Sequence, residues 1–321
     1  MVTTYRRATF WGVALAAALV AGCAADETPT AVPRALGAAD TATSPPTSPP
    51  PESTTTTTEP PRGPIDRPPV LADDPAGIAA QLTAAEQAVR NPATGDDEVV
   101  EQAHVAQYAY RVLATRPEWD DEVRAVLPPE LHQAFDANIA ARRELRGMHT
   151  HLLETLPAWR IIEPPPYDEL LGHYQEAQEI FGVPWEYLAA IHLVETAIGR
   201  VDGVSVAGAQ GPMQFMPGTW DAFGEGDVRN HRDAIHAAAR YLRHSGAPGD
   251  MRSAIFAYNR HYNYVRAVEH FASVIRHDPA AFRGYYHWQV YVLTAQGDVV
   301  MPLGYEATER IPVEEYLASL D

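Results

Sequence analysis

The sequence predicts a mainly α-helical protein with a small β-hairpin near its C-terminus. Three observations carry this expectation. Between residues 74 and 276, apolar residues recur at helical spacing in segment after segment, each bounded by a capping residue, a glycine or a proline. One of these segments, 184–198, is apolar nearly all the way round, as a helix enclosed by others must be. From Tyr285 the period changes to two: Tyr286, Trp288, Val290 and Val292 alternate with His287, Gln289 and Tyr291, Gly297-Asp298 turns the chain, and 299–303 returns.

The segments follow in order. Residues 1–22 have the shape of a signal peptide: Arg6 and Arg7, then an apolar run from 10 to 21 that is short for a membrane span. Val20-Ala21-Gly22-Cys23 resembles a bacterial lipobox, which implies lipidation of Cys23, the single cysteine of the chain. No intramolecular disulfide is possible. Residues 23–73 are rich in Pro, Thr, Ser and Ala and bury too little apolar surface to offset their conformational entropy, so a disordered tether is expected. Roughly 50 residues of this kind average about 40 Å when flexible and reach about 150 Å as polyproline.

Residues 74–163 read as a helical support domain. One helix opens at Asp74-Pro75 and closes near Asn91-Pro92, a second opens at Asp96 or Asp97, and a third runs from 130 to about 156. Its histidines, His104, His132, His149 and His151, lack metal-ligand spacing and read as surface residues. Pro164-Pro165-Pro166 marks the next boundary. Residues 164–280 carry helices at 167–181, 184–198, 231–244, 251–258 and 262–276, and residues 281–321 form the hairpin and tail.

Glu195 is the residue that stands out. It falls within the arc of Leu188, Ile191 and Ile198 near the C-terminal end of its helix, and apolar surroundings and the negative helix end both disfavour its ionised form. A structural ion pair with Arg200 is one reading; a proton donor with a raised pKa is the other. Beyond the helix, Gly203, Gly208 and Gly211 punctuate a segment that leads to Pro212-Met213-Gln214-Phe215-Met216-Pro217. Such a loop lets backbone approach a ligand and makes one wall of a cleft.

Glu195-Thr196, Gly211-Pro212-Met213-Gln214 and Ala257-Tyr258-Asn259 resemble the three ordered motifs of the lytic transglycosylases of the lysozyme-like superfamily, and the run AGAQGPMQFMPGTW is similar to the membrane-bound murein transglycosylases. The likeness covers roughly residues 170 to 305. Thr196 stands where Ser is usual and Pro212 where Leu is usual. The resemblance implies a lysozyme-like catalytic domain at 164–280. It also implies cleavage of the β-1,4 bond between N-acetylmuramic acid and N-acetylglucosamine in peptidoglycan, with Glu195 as general acid and then base and a 1,6-anhydromuramyl product. By motif position, Ser205, Met213, Gln214, Tyr258 and Asn259 would bind the glycan.

Two other readings stay open on sequence: a lysozyme-type hydrolase, with Asp202, Asp221, Glu225 or Asp227 as second carboxylate, and a non-catalytic wall-binding lipoprotein. The formal charge of −18, from 42 acidic and 24 basic residues, argues against nucleic acid as a partner. No phosphate loop, calcium loop or zinc pattern is present, so neither cofactor nor metal is expected. The expected location is the outer face of the bacterial cell membrane, held by the N-terminal lipid anchor.

Overall fold

The computed structural model describes residues 65–320. The expected signal peptide, Cys23 and most of the expected tether lie outside them. The last residues of the expected tether are already part of the fold: Leu71 and Ala72 pack on the core, and the Gln81 side chain bonds Val70 O and the Ala72 N–H.

Twelve helices and six short strands make up the described chain. The N-terminal helices are α1 (Pro75–Arg90), α2 (Asp96–Leu113), α3 (Asp120–Val126) and α4 (His132–Arg146). Then come α5 (Tyr167–Phe181), α6 (Trp185–Thr196), α7 (Pro217–Phe223), α8 (His231–His244), α9 (Met251–Tyr258), α10 (Tyr262–His277), α11 (Ala281–His287) and α12 (Val313–Ala318). Several starts are chemically explicit. Asp74 accepts the Gly77 N–H with Pro75 in the first turn of α1, Asn230 accepts the Asp233 N–H, and Asp250 accepts the Ser253 N–H. Gly182 ends α5 in the left-handed region at φ 69°.

The strands form three antiparallel pairs, β1 (Thr155–Leu156) with β6 (Ile311–Pro312), β2 (Arg160–Ile161) with β3 (Val201–Asp202), and the hairpin β4 (Val290–Thr294) with β5 (Gly297–Met301). Together with α12 they enclose a small core of their own, including Leu156, Ile161, Val201, Val290, Val292, Met301 and Val313. All five residues of β4 are buried. The reason is that Val290 and Val292 face this small core while Tyr291 turns toward α2, where its hydroxyl meets His104 Nε2 at 2.6 Å.

The large core runs without a break from Ile78 in α1 to Trp288 after α11. Helix α10 is its axis. It packs on α4 along one side and on α6 along another, and Tyr264, Val265, Val268, Phe271 and Ala272 have no exposed surface. At the rim, Arg266 holds Glu144 of α4 through two hydrogen bonds of 2.6 and 2.8 Å. The boundary expected at residue 163 therefore does not divide the hydrophobic interior.

Other expectations need correction. The third helix ends at Arg146 rather than near 156, because Thr155–Leu156 pairs with β6. The hairpin begins at Val290 rather than Tyr285. Phe282, Tyr285 and Tyr286 also satisfy an i, i+3, i+4 spacing, and the helical solution (α11) buries all three. Thr294 pairs with Gly297, so Ala295 and Gln296 make the turn and Asp298 lies in a strand. His104 is buried, not on the surface.

A chain shortened to begin at Pro164 removes α4 and exposes the Phe271 face of α10. That fragment is expected to lose its cooperative thermal transition, whereas a chain beginning at Ile65 keeps it. A sharp two-state melt of the shorter fragment would show that the two parts fold separately.

Candidate active site

Helix α6 places Glu195 one residue from its end, and the chain there is held in an unusual backbone. Ala197, Ile198 and Gly199 are three consecutive residues with positive φ, at 51°, 62° and 83°. For a β-branched residue such as Ile198 this is a strained conformation, of order 1–3 kcal/mol. The surroundings hold it in place. Ala197 N–H donates to Leu193 O, Ile198 N–H donates to His192 O, and the Gly199 N–H donates to Thr196 Oγ1 at 3.0 Å. Gly199 tolerates no side chain, since a Cβ would sit 2.2 Å from His231 Cε1.

Thr196 ties the helix end to the facing loop: its hydroxyl donates to Pro212 O at 2.6 Å while accepting from Gly199. This explains both departures from the usual motif. Thr196 keeps the hydroxyl that Ser would supply, and the acceptor on Pro212 is its backbone carbonyl, which does not depend on the side chain. Gly211 has φ 72°, and a Cβ there would collide with Val228 O at 1.9 Å. Residues 211–214 thus form a tight turn closed by the Gln210–Phe215 bridge.

Glu195 has no exposed surface. Its Oε1 accepts a hydrogen bond from Tyr264 Oη at 2.6 Å, and its Oε2 is buried with no partner. Burial pushes its pKa well above the ordinary carboxylic range, and the Tyr264 hydrogen bond opposes that shift only in part. Tyr258 and Tyr264 are themselves held neutral, by burial first and by the neighbouring Glu195 second. Arg200 does not pair with Glu195; it donates to Tyr286 O at 2.9 Å.

The other expected residues occupy the wall of the same region in different capacities. Met213 is fully buried, and its carbonyl accepts the Tyr258 hydroxyl at 2.6 Å. Gln214, at φ 49°, turns its amide back onto Gly203 O and Gly211 O at 3.3 and 3.0 Å, and its Oε1 is buried without a partner. Ser205 Oγ accepts the Ala209 N–H at 2.9 Å and closes a turn of the loop. Asn259 is buried at the end of α9, its carbonyl accepting from the His261 N–H at 2.8 Å.

Of the four carboxylates weighed as a second catalytic acid, Asp202 is held by Arg160 at 2.7 Å and Glu225 by Arg240 at 3.2 Å. Asp227 accepts from the Arg229 N–H, and Asp221 is exposed. Among the described residues, no group of three or more His, Cys, Asp or Glu converges as a metal site. Tyr264 is the functional residue that sequence reasoning missed. The signal was there, since 264, 268, 271 and 275 share one face of α10, and a buried tyrosine hydroxyl needs a partner.

Comparison with known proteins falls on this same stretch. Residues 173–270 match the family model of the transglycosylase SLT domain, and they are such a domain, of the lytic transglycosylase family. Over 150 residues, 44% of its length, the chain is 29% identical to the membrane-bound lytic murein transglycosylase F of Thiobacillus denitrificans. That alignment covers 32% of the relative, so the chain spans about a third of the curated protein it matches. No solved structure matches the chain.

A neutral isostere at 195 reports the raised pKa directly. In the unfolded chain Glu195 ionises near 4.3, but in the folded protein only at much higher pH, so its ionisation weakens folding as pH rises from about 4.3 toward the folded value. Glu195→Gln is expected to match the wild type in stability at pH 3.5 and to exceed it at pH 7, in denaturant melts at the two pH values. Equal stabilities at pH 7 would mean that the carboxyl ionises normally.

Proposed function

We propose that this protein cleaves the β-1,4 bond between N-acetylmuramic acid and N-acetylglucosamine in peptidoglycan, with Glu195 as its single acid and base. The observation that carries this reading is a buried carboxyl group with one oxygen bonded to Tyr264 and the other free. Kept protonated, Glu195 donates from its free oxygen to the leaving glycosidic oxygen as the C1–O bond breaks. The carboxylate left behind accepts from Tyr264 Oη. It then takes the proton of the muramyl C6 hydroxyl as that oxygen attacks C1, which closes a 1,6-anhydro ring and restores the acid. No water is consumed.

Glu195 has no exposed surface, so in this reading the loop at 203–216 moves to admit the glycan. The exposed Val204 and Val206 place that loop at the surface, where glycan would meet it. In this reading Ser205 and Gln214 shape the loop, Met213 and Tyr258 set its distance from α9, and Asn259 and the free Gln214 Oε1 are the polar groups offered to sugar. No cofactor takes part.

Two supports for location are of different kinds. The relative from Thiobacillus denitrificans is named as membrane-bound. Among the described residues no helix is long and apolar enough to cross a membrane, which leaves the N-terminal segment to supply an anchor. We place the protein on the outer face of the cell membrane as a lipoprotein attached through Cys23, with peptidoglycan strands as its partner. Cys23→Ala is expected to abolish lipid attachment and release the protein from membranes on fractionation; unchanged membrane retention with normal processing would overturn the anchor.

The reaction itself is tested by mass spectrometry of peptidoglycan digests made in oxygen-18 water. Muramyl ends without label and lighter by one water are expected. Labelled reducing ends would assign hydrolysis instead. Glu195→Gln keeps volume and fold, and turnover should fall by at least about 100-fold.

A further inference from the structure

A cavity that Glu195 does not line is bordered by α2, α4, the C-terminal half of α6, α10 and the β4–β5 hairpin, with a volume of about 60 Å³. Its charged lining is unlike the rest of this acidic chain. Arg111, Arg142 and Arg146 converge there with one carboxylate, Asp298. Asp298 is already committed, since Arg111 Nε and Nη2 reach its two oxygens at 2.9 and 2.6 Å. His149 adds no charge: burial and the neighbouring Arg146 and Arg111 push it down to about 4.

Two cations are left over. Arg142 lies over the Trp288 ring at 4.6 Å, and its Nε is buried with no hydrogen-bond partner. Burial, and then Arg111, push its pKa down to about 9, so at neutral pH it still carries its charge. Among the described residues, neither Arg142 nor Arg146 has a carboxylate within salt-bridge distance. Stacking on an indole recovers only part of what an enclosed guanidinium loses in hydration. In a chain with 42 acidic residues, two arginines at one cavity whose single carboxylate is already paired with Arg111 is a specific arrangement.

We propose that this cavity is a binding site for a small carboxylate with a short apolar body, its carboxyl group held by Arg142 and Arg146. Size and lining select that class. About 60 Å³ holds roughly four to six water molecules, which suits a carboxyl group with two or three carbons and excludes a sugar ring. The wall also includes the apolar Leu145, Leu193, Val194 and Leu293, which favours a methyl or ethyl group over the fully hydrated shell of phosphate. A planar guanidinium matches a carboxylate through paired hydrogen bonds. Both a free short-chain acid and the C-terminal residue of a peptide have this chemistry. The site does not depend on the role given to Glu195.

The full chain, titrated with propionate, with D-alanyl-D-alanine and with phosphate against chloride at constant ionic strength, tests this through melting temperature and tryptophan fluorescence. At least one of the two carboxylates is expected to raise the melting temperature saturably, and to change a fluorescence signal that Trp288→Phe removes. A response to propionate alone assigns a free acid, and one to the dipeptide a peptide terminus. Arg142→Gln should weaken binding at least tenfold. Arg146→Gln, further from the packed interior, should weaken it severalfold and carries the test if Arg142→Gln does not fold. No saturable response to either carboxylate, affinity unchanged in the folded variants, or phosphate binding as tightly as both carboxylates would each overturn the proposal.

Discussion

The structure depends on keeping one carboxyl group out of water with a single hydrogen bond. Glu195 has no exposed surface, one oxygen bonded to Tyr264 and one bonded to nothing. Unpaired buried carboxyls are costly in their charged form, so the site holds a proton where an exposed glutamate would lose it. Sealing it requires walls on every side of α6. That requirement accounts for a helix that is apolar all round, and for neighbours that include the preceding α5 and, from further along the chain, α8 and α10.

The second requirement is that the carboxyl group stay in register with the opposite wall. Here the left-handed run Ala197–Ile198–Gly199 matters more than any side chain. A helix ending in one glycine can swing about it, whereas three successive residues in a sparsely populated conformation fix the exit direction. Thr196 then transmits that direction to the Pro212 carbonyl, and Tyr258 fixes the next carbonyl, that of Met213. The loop is thus hung from two hydroxyl groups, one on α6 and one on α9. Its alignment with Glu195 comes from backbone contacts, which is why Pro212 fits where the family usually has Leu.

Much of this was legible in the sequence, for physical reasons that differ by residue. Helix limits such as the end of α8 and the start of α9 were readable because Gly246 and Asp250 act locally. Glu195 was readable because a charge in an apolar arc contradicts its surroundings. Contacts between distant segments were not readable. Nothing near Leu156 announces Ile311 as a partner, and nothing in residues 74–163 signals that α4 must cover α10. Tyr264 was hidden for a related reason: an aromatic on the inner face of a helix reads as packing until the group opposite its hydroxyl is known. Ser205 and Met213 were located by motif, yet their observed contacts, a loop turn and a backbone acceptor, are structural ones that only coordinates reveal.

Helix α6 also separates two environments of opposite demand. Glu195 looks toward Tyr264, while Leu193 and Val194 of the same helix and Ala197 just beyond its end border the arginine-lined cavity. A cation within about 4–6 Å of a carboxylate lowers its pKa by about 1–3 units, enough to discharge the proton a general acid must keep. The influences on Glu195 are burial and the Tyr264 hydroxyl, with no arginine among them. The apolar side chains of α6, together with Phe271 and Trp288, therefore act as an insulating layer. The arginines of α2 and α4 border the same cavity as α6 and yet leave the proton of Glu195 alone, so the helix can carry a general acid on one side and face fixed positive charge on the other.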